Sequence, residues 1–186
     1  ANFFLRPIYV LLPLFVTEIH FGEAADLALL IATVQAGLIG GSLVMSSFKG
    51  FSNKAHGVAI GILLMYFGIF ILSMAPTGTF WLIILGMFIM GFNLPVANVS
   101  SQTIWQSVVP PEKLGRVYSV RRSIAQISGP AATLITGIVV EIVGIIPVYW
   151  VCGISGIILL GYSWFFTRFR RVEELIAENV RITTDG

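Results

Sequence analysis

Arg6, Gln35, Asn93, Asn98 and Gln126 stand inside long, predominantly apolar stretches of sequence. Arginine stays charged in any protein environment and offers five N–H donors in a planar fork. Each carboxamide offers two donors and an acceptor oxygen. This is binding chemistry for a polar or anionic solute, with no nucleophile or base in the set. Residue types suited to covalent or acid–base work lie elsewhere. His20 and His56 fall between the apolar runs, no Ser–His pair shares a depth, and no Asp lies within a run. A hydrolase or intramembrane protease therefore lacks its parts, and an enzyme is not expected. The single cysteine, Cys152, sits in an apolar run as a small core or lipid-facing residue. It excludes an intrachain disulfide and a cysteine metal cluster; no metal or other cofactor is expected.

The elements that carry these residues follow from composition. Apolar residues make up 56% of the chain and charged residues 11%, with a mean hydropathy of +0.92. A soluble domain carries about 25% charged residues, so the partner implied is the lipid bilayer. A net charge of +2 is too small to argue for nucleic acid. Six apolar segments run from Ala1 to Thr17, Leu27 to Phe48, Val58 to Ala75, Thr79 to Val108, Val120 to Val140 and Ile145 to Thr167. Each is near or above the length needed to cross a bilayer. Lipid offers backbone groups no partner, so such runs are helices or barrel strands. Alternation of period two is absent, and the expectation is an all-α polytopic bundle of six transmembrane helices over residues 1–167. The remaining residues, 168–186, form a tail. It places Val172, Leu175, Ile176 and Val180 on one helical face and Glu173, Glu174 and Glu178 elsewhere, as a short amphipathic helix at the interface would. The chain opens without an initiator Met or a signal-peptide pattern, and so reads as an internal stretch of a longer protein.

Charge between the segments sets their direction. The first connection holds Glu18, His20, Glu23 and Asp26 but no Lys or Arg; the second holds Lys49 and Lys54; the third, Pro76 to Gly78, is uncharged. The fourth is basic: after Pro110 and Pro111, which cannot continue the preceding helix, Lys113, Arg116, Arg121 and Arg122 gather against one acid, Glu112. The fifth holds only Glu141, and the tail begins with Arg168, Arg170 and Arg171. Every Lys and Arg outside the spans thus falls on alternate connections. By the positive-inside rule both termini of this chain are cytoplasmic, in a cell membrane. The residues after Pro110 read as a cytoplasmic loop that feeds the fifth span.

Read as three helices plus three, the interruptions fall into register. Pro7 and Pro13 in the first helix match Gly91, Asn93, Pro95 and Asn98 in the fourth. Gln35, Gly37, Gly40 and Gly41 in the second match Gln126, Gly129 and Pro130 in the fifth. The third and sixth hold little that is polar, as lipid-facing helices would. Paired Gly/Pro-broken segments in inverted repeats point to a transport path between them. At ~1.5 Å per residue, Arg6 lies about 18 Å below Glu18, Gln35 about 14 Å below Asp26, and Asn93 about 21 Å from Thr79. Gln126 lies roughly 20 Å from the outer face by the same count. A polar layer near the midplane is costly unless it faces protein or water; for an arginine the cost is at least ~2.5 kcal/mol. The amides either bond helices to one another or line a water-filled path. Gly37 with Gly41, and the stripe Ser128, Ala132 and Thr136 beside Gly129, Thr133 and Gly137, read as close-packing surfaces.

The run Pro110 to Val117 (PPEKLGRV), the following RRSIAQ (Arg121 to Gln126), the opening NFFLRPIYVLLPLFV and the run GFNLPVANVSSQTIWQ occur here in order. In this the chain resembles the C-terminal half, helices seven to twelve, of major facilitator transporters, especially macrolide- and siderophore-type efflux permeases. The resemblance implies half of a major facilitator fold, a missing N-terminal six-helix half as partner, and a small amphipathic substrate moved by rocking of the halves, often against a proton gradient. By the matching of interruptions, Gly129 and Pro130 read as a hinge in the fifth helix; the resemblance implies that the Gly91–Pro95 region is the bending part of a cavity helix. It assigns Glu112, Gly115, Arg116, Arg121 and Arg122 to a cytoplasmic loop that positions the helix ends. One stretch departs from the pattern: where the family often has Gly-x-x-x-Asp-Arg-x-Gly-Arg-Arg, residues 41–50 read GSLVMSSFKG, without the acid or its arginine. No carboxylate sits at mid-depth, so a proton-coupling acid is expected in the other half. A channel or a structural membrane partner is the alternative, although no filter or charged ring is present.

The topology is testable by labelling. Single cysteines introduced at Glu23, Thr77 and Gly144 react with a membrane-impermeant maleimide added outside cells, and those at Asn53 and Lys113 do not. External labelling at Asn53 would reverse the orientation.

Overall fold

Helices account for nearly all of the computed structural model, which describes residues 2–48, 51 and 53–166. The helix α1 (Asn2–Leu14) passes into a π-helical turn, Phe15–Ile19. Then follow α2 (Ala24–Ser47), α3 (Lys54–Ser73), α4 (Phe80–Val108), α5 (Pro111–Val143) and α6 (Ile145–Phe166). No strand occurs among the described residues. Five helices, α2 to α6, are long and apolar enough to cross a membrane. The thirteen residues of α1 and the five of the π turn run on as one helical rod. At about 1.5 Å per residue that rod is roughly 27 Å long, close to the ~30 Å hydrocarbon thickness. The tail 168–186 and Lys49 lie outside the described residues.

The helix ends have identifiable causes. At the start of α2, Glu23 and Asp26 form a capping box in which the Asp26 carboxylate accepts the Glu23 N–H at 2.8 Å. That satisfies donors the helix itself cannot. Asn53 caps α3 by accepting the His56 N–H at 3.2 Å, which places His56 in the first helical turn rather than in a loop. At the other end of α5, Gly144 has φ 84°, a conformation glycine adopts without strain.

The start of α5 corrects the sequence reading. The connection after α4 is only Val109 and Pro110, and Glu112, Gly115, Arg116, Arg121 and Arg122 are not loop residues but occupy the first turns of α5. Pro111 stands at the first helical position, where its missing N–H costs nothing, and Glu112 sits at the positive end of the helix dipole. A 33-residue helix is ~50 Å long, well beyond the ~30 Å apolar layer, so its charged end projects from the membrane as helix.

Packing follows an inverted repeat. The helix α4 packs on α2 and α3, α1 packs on α5 and α6, and α3 packs on α6. Exchanging α1 with α4, α2 with α5 and α3 with α6 maps this set of pairs onto itself. A shift of three helices reverses chain direction, so the repeats are inverted, as expected for half of a major facilitator fold. The register of α3 against α6 is antiparallel: Trp150 Nε1 donates to the Ser73 carbonyl at 3.1 Å, Gly153 faces Phe70, and Gly156 lies on the ring of Tyr66. The helix α6 is tied to α1 by Tyr149, whose hydroxyl donates to the Ile8 carbonyl at 3.0 Å and whose ring lies 4.9 Å from that of Phe15.

Glycine sets the helix separations. A Cβ on Gly68 would lie 2.6 Å from the Gly86 carbonyl oxygen, and one on Gly61 would lie 2.6 Å from the Ala97 nitrogen, so α3 and α4 touch backbone to backbone. On the other side of α4, Gly37 meets the Phe88 carbonyl, Gly41 the Phe92 carbonyl, and Gly91 the Val34 carbonyl. The helix α3, expected on the outside, is the most deeply packed of the five spans, because its glycines leave one face bare for α4.

At one end of the bundle His20 closes the chain behind the π turn. It is 3% exposed and sits between the rings of Phe15, at 4.6 Å, and Phe80, at 5.8 Å. Its Nδ1 accepts the Gly78 N–H at 3.2 Å, so the proton of the neutral ring is on Nε2, which is buried with no partner among the described residues. The contact joins the end of α1 to the turn between α3 and α4. Desolvation lowers the His20 pKa from its ordinary value near 6.5.

Two stability predictions follow from these contacts. Gly41→Ala should cost about 1–3 kcal/mol in detergent, since backbone must move to admit the methyl group. Gly137→Ala, with open space around it, should be neutral or stabilising by up to about 1 kcal/mol; equal melting temperatures for both variants would refute the backbone contact. The lowered His20 pKa means that the opened chain binds the proton more readily than the folded one. Stability from this group is therefore complete above pH ~6.5 and declines as pH falls below it. Thermal unfolding at pH 7.5 and 5.5 should show this loss in the wild type. The loss should be smaller in His20→Gln, which keeps an acceptor for Gly78 but does not titrate.

Candidate functional site

The polar residues of the spans separate into an open set and a buried one. Arg6 on α1, Gln35 on α2, Asn98 on α4 and Gln126 on α5 are all exposed. Asn93 is buried, and its Nδ2 donates to the Ile89 carbonyl of its own helix at 2.8 Å. It therefore neither stands on the open surface nor bonds a neighbouring helix. The four exposed residues lie on the helices that flank the α3–α6 pair, and none lies on α3 or α6.

The structure brings one pair of candidate positions together. The guanidinium of Arg6 lies against Gly129: Nε, Nη2 and Cζ are 3.0, 3.1 and 3.3 Å from where a Cβ would stand. Glycine at 129 is thus what lets an arginine of α1 rest on the backbone of α5. Gln126 is one turn along α5 from this contact, and Pro130, next to Gly129, has no N–H to give the Gln126 carbonyl. Around the shelf, α5 buries Gly129, Ala132 and Thr136, the last bonding the Ala132 carbonyl at 2.6 Å. Of the small residues expected to pack, Gly137 faces open space instead. No carboxylate among the described residues pairs with Arg6.

The proposed bending points sit in unbroken helix. Gly91 and Pro95 lie within α4, and Gly129 and Pro130 within α5, with no break in either. Gly91 and Pro95 are buried, and Gly91 is one of the points where α2 and α4 meet backbone to backbone. Pro95 lacks the N–H that would bond the Gly91 carbonyl, which leaves one rung of the α4 ladder unmade.

A second polar group lies at the α4–α5 end of the bundle. Arg121 Nη2 donates to Ser101 Oγ at 3.1 Å, and its guanidinium carbon lies 5.9 Å from the centroid of Trp105. Tyr118 donates to the Gln102 carbonyl at 3.4 Å. These contacts fasten the start of α5 to the end of α4. Arg116, Val117, Val120 and Ile124 complete the wall of an open groove of about 450 Å³ beside Trp105 and Arg121. Glu112, Gly115, Arg116 and Arg122 are exposed, and no described carboxylate pairs with Arg116, Arg121 or Arg122. Sequence reasoning missed Ser101 and Trp105 as partners. A tryptophan near a span end and a basic residue close by in the chain were the only available signals.

The family model described as Major Facilitator Superfamily matches residues 2–181. Macrolide efflux protein A of Streptococcus pyogenes is 22% identical over 143 residues, which is 77% of this chain and 35% of that protein. Macrolide efflux protein A of Enterococcus faecalis is 24% identical over 128 residues, 69% of this chain and 40% of that protein. The chain thus spans well under half the length of the curated relatives it matches. No solved structure matches it.

Proposed function

From the premise that this chain belongs to the major facilitator superfamily of membrane transporters, we propose that it is the C-terminal half of an efflux transporter. The half works with a second six-helix half, and an amphipathic small molecule passes between the two as they rock. One observation carries this reading. The exposed polar residues Arg6, Gln35, Asn98 and Gln126 stand on α1, α2, α4 and α5, while α3 and α6 pack on each other and carry none of them. A bundle that only spanned the membrane would bury its amides or omit them, because polar groups facing lipid are costly. Efflux as the direction rests on the two relatives named for macrolide export.

In this reading Arg6, Gln35, Asn98 and Gln126 line the path, and Asn93 supports α4 from inside it. Gly91–Pro95 and Gly129–Pro130 are where α4 and α5 flex, each having one backbone rung missing at its proline. Arg116, Arg121 and Arg122 hold the cytoplasmic ends, with both termini of the chain on that side of the cell membrane. If protons drive the cycle they act through an acid of the other half, because the described spans hold no carboxylate at mid-depth.

The test uses the full-length gene in cells stripped of their own exporters. Cells expressing it should accumulate less of a macrolide or an amphipathic dye, and a protonophore should abolish the difference. Unchanged accumulation across a panel of amphipaths would overturn the reading. Within the same assay Arg116→Ala should slow efflux more than it lowers the amount inserted. Its exposed contacts are worth only about 0–1 kcal/mol to folding, with helix-end or lipid terms of similar size. Lowered insertion with unchanged turnover would reduce Arg116 to a topogenic charge.

A further inference from the structure

The two repeats treat equivalent crossings differently. Under the exchange of repeats, the α2–α4 crossing corresponds to the crossing of α5 with α1. At the first, Gly37, Gly41 and Gly91 bring two backbones into contact. At the second, the atoms nearest to where a Gly129 Cβ would stand are those of the Arg6 guanidinium. The α1–α5 contact is also much the less extensive of the two. A glycine has been used here to seat a charge, at a place where the repeat elsewhere seats a helix.

Two independent rulers put that charge deep in the bilayer. Twelve residues of chain separate Arg6 from Glu18, and twelve separate Gly129 from Glu141. Each helix therefore places the contact about 18 Å from its own acidic end, close to the middle of the membrane. Between Arg122 and Glu141 on α5, and between Arg6 and Glu18 on α1, there is no other charged residue. Arg6 is exposed, no described carboxylate pairs with it, and Nη1 is not among its atoms nearest Gly129, so N–H donors remain for a carboxylate or phosphate oxygen. Gln126 stands one turn away on the same helix as a neutral second donor.

We propose that the Arg6–Gly129 shelf is an anion-recognition site and that the molecule exported carries a carboxylate or phosphate group, held there by Arg6. This rests on the reading of the α1, α2, α4 and α5 surface as the transport path. The oxyanion belongs to the cargo because the shelf lies on that path. A fixed carboxylate of the other half is the rival source.

The experiment uses the full-length transporter in proteoliposomes and a panel of dansyl amino acids, each supplied as the free carboxylate and as its neutral amide. For at least one pair, wild-type transporter should move the acid about tenfold faster than the amide, the scale of one charge-assisted hydrogen-bonded pair. Arg6→Gln should remove that preference, bringing the ratio of acid to amide uptake to within about twofold of one whatever the absolute rates. Gly129→Ala keeps the charge but displaces the guanidinium from its seat, and should lower the ratio of acid to amide uptake, whatever it does to the flexing of α5 and so to both rates together. Equal uptake of acid and amide by wild type would overturn the anionic cargo and leave the transport reading standing. Loss of both forms alike in Arg6→Gln, with normal insertion, would assign Arg6 to a fixed acid of the other half and overturn the cargo assignment. Uptake of no member of the panel by a transporter that clears amphipaths from cells would overturn the anionic cargo and leave the transport reading standing.

Discussion

Between helices in hydrocarbon there is no water to expel, so they associate only as closely as their side chains permit. In this protein that limit is lifted at glycine, and α4 shows the consequence on both flanks. Gly61, Gly68 and Gly86 bring it against α3, and Gly37, Gly41 and Gly91 bring it against α2. Each contact sets carbonyls and Cα atoms at distances that any side chain would forbid. Dispersion is individually weak and falls off steeply with a gap of half an ångström or more. Losing one such crossing therefore removes a whole row of contacts at once. The position of α2, and so of Gln35 on its exposed side, depends on those bare backbones.

The same residue type does different work at the other repeat. Gly129 gives a guanidinium a seat in place of a helix, and the charge it seats is one the membrane opposes. A translocon-scale cost of at least ~2.5 kcal/mol for a central arginine is too large for an ornament in a chain of marginal stability. Folding tolerates Arg6 because most of α1 is anchored independently of it. Leu5, Ile8, Leu11, Leu12, Phe15 and Val16 are all buried, and Tyr149 bonds the Ile8 carbonyl from α6. The apolar side of α1 carries its packing and leaves the opposite side for polar chemistry.

At the end of the bundle where α4 passes to α5, polar contacts take over from glycine. Arg121 reaches Ser101 and the ring of Trp105, and Tyr118 reaches the Gln102 carbonyl. A two-residue link between long helices leaves little slack, so these contacts fix how α5 leaves α4. The His20–Gly78 bond plays a comparable part where the end of α1 meets the turn joining the two repeats. Covalent connection is short in both places, and one or two directional bonds suffice to set the angle.

Much of this was legible in the amino-acid sequence because lipid is a severe solvent. Apolar length, the confinement of Lys and Arg to alternate connections, and the order of motifs such as PPEKLGRV specify six helices and a family. Proline and glycine positions also expose the threefold-by-two arrangement of the interruptions. Other features could not be read in this way, for reasons that differ by residue. The basic stretch after Pro110 looked like a loop because charge marks the end of a span, but a helix can outrun the membrane, and Pro111 with Glu112 starts one. Asn93 looked like its fellow amides, yet a short carboxamide can bond its own helix as readily as a neighbour, and only packing around α4 decides that it is buried. The burial of His20 arises from contacts with Phe80 and Gly78, some sixty residues away in the chain. The sequence by itself determined which segments cross and which residues are too polar for lipid. Only the tertiary structure decided which of those residues meet, as Arg6 meets Gly129, because a helix's own periodicity says nothing about which neighbour will cover a given face.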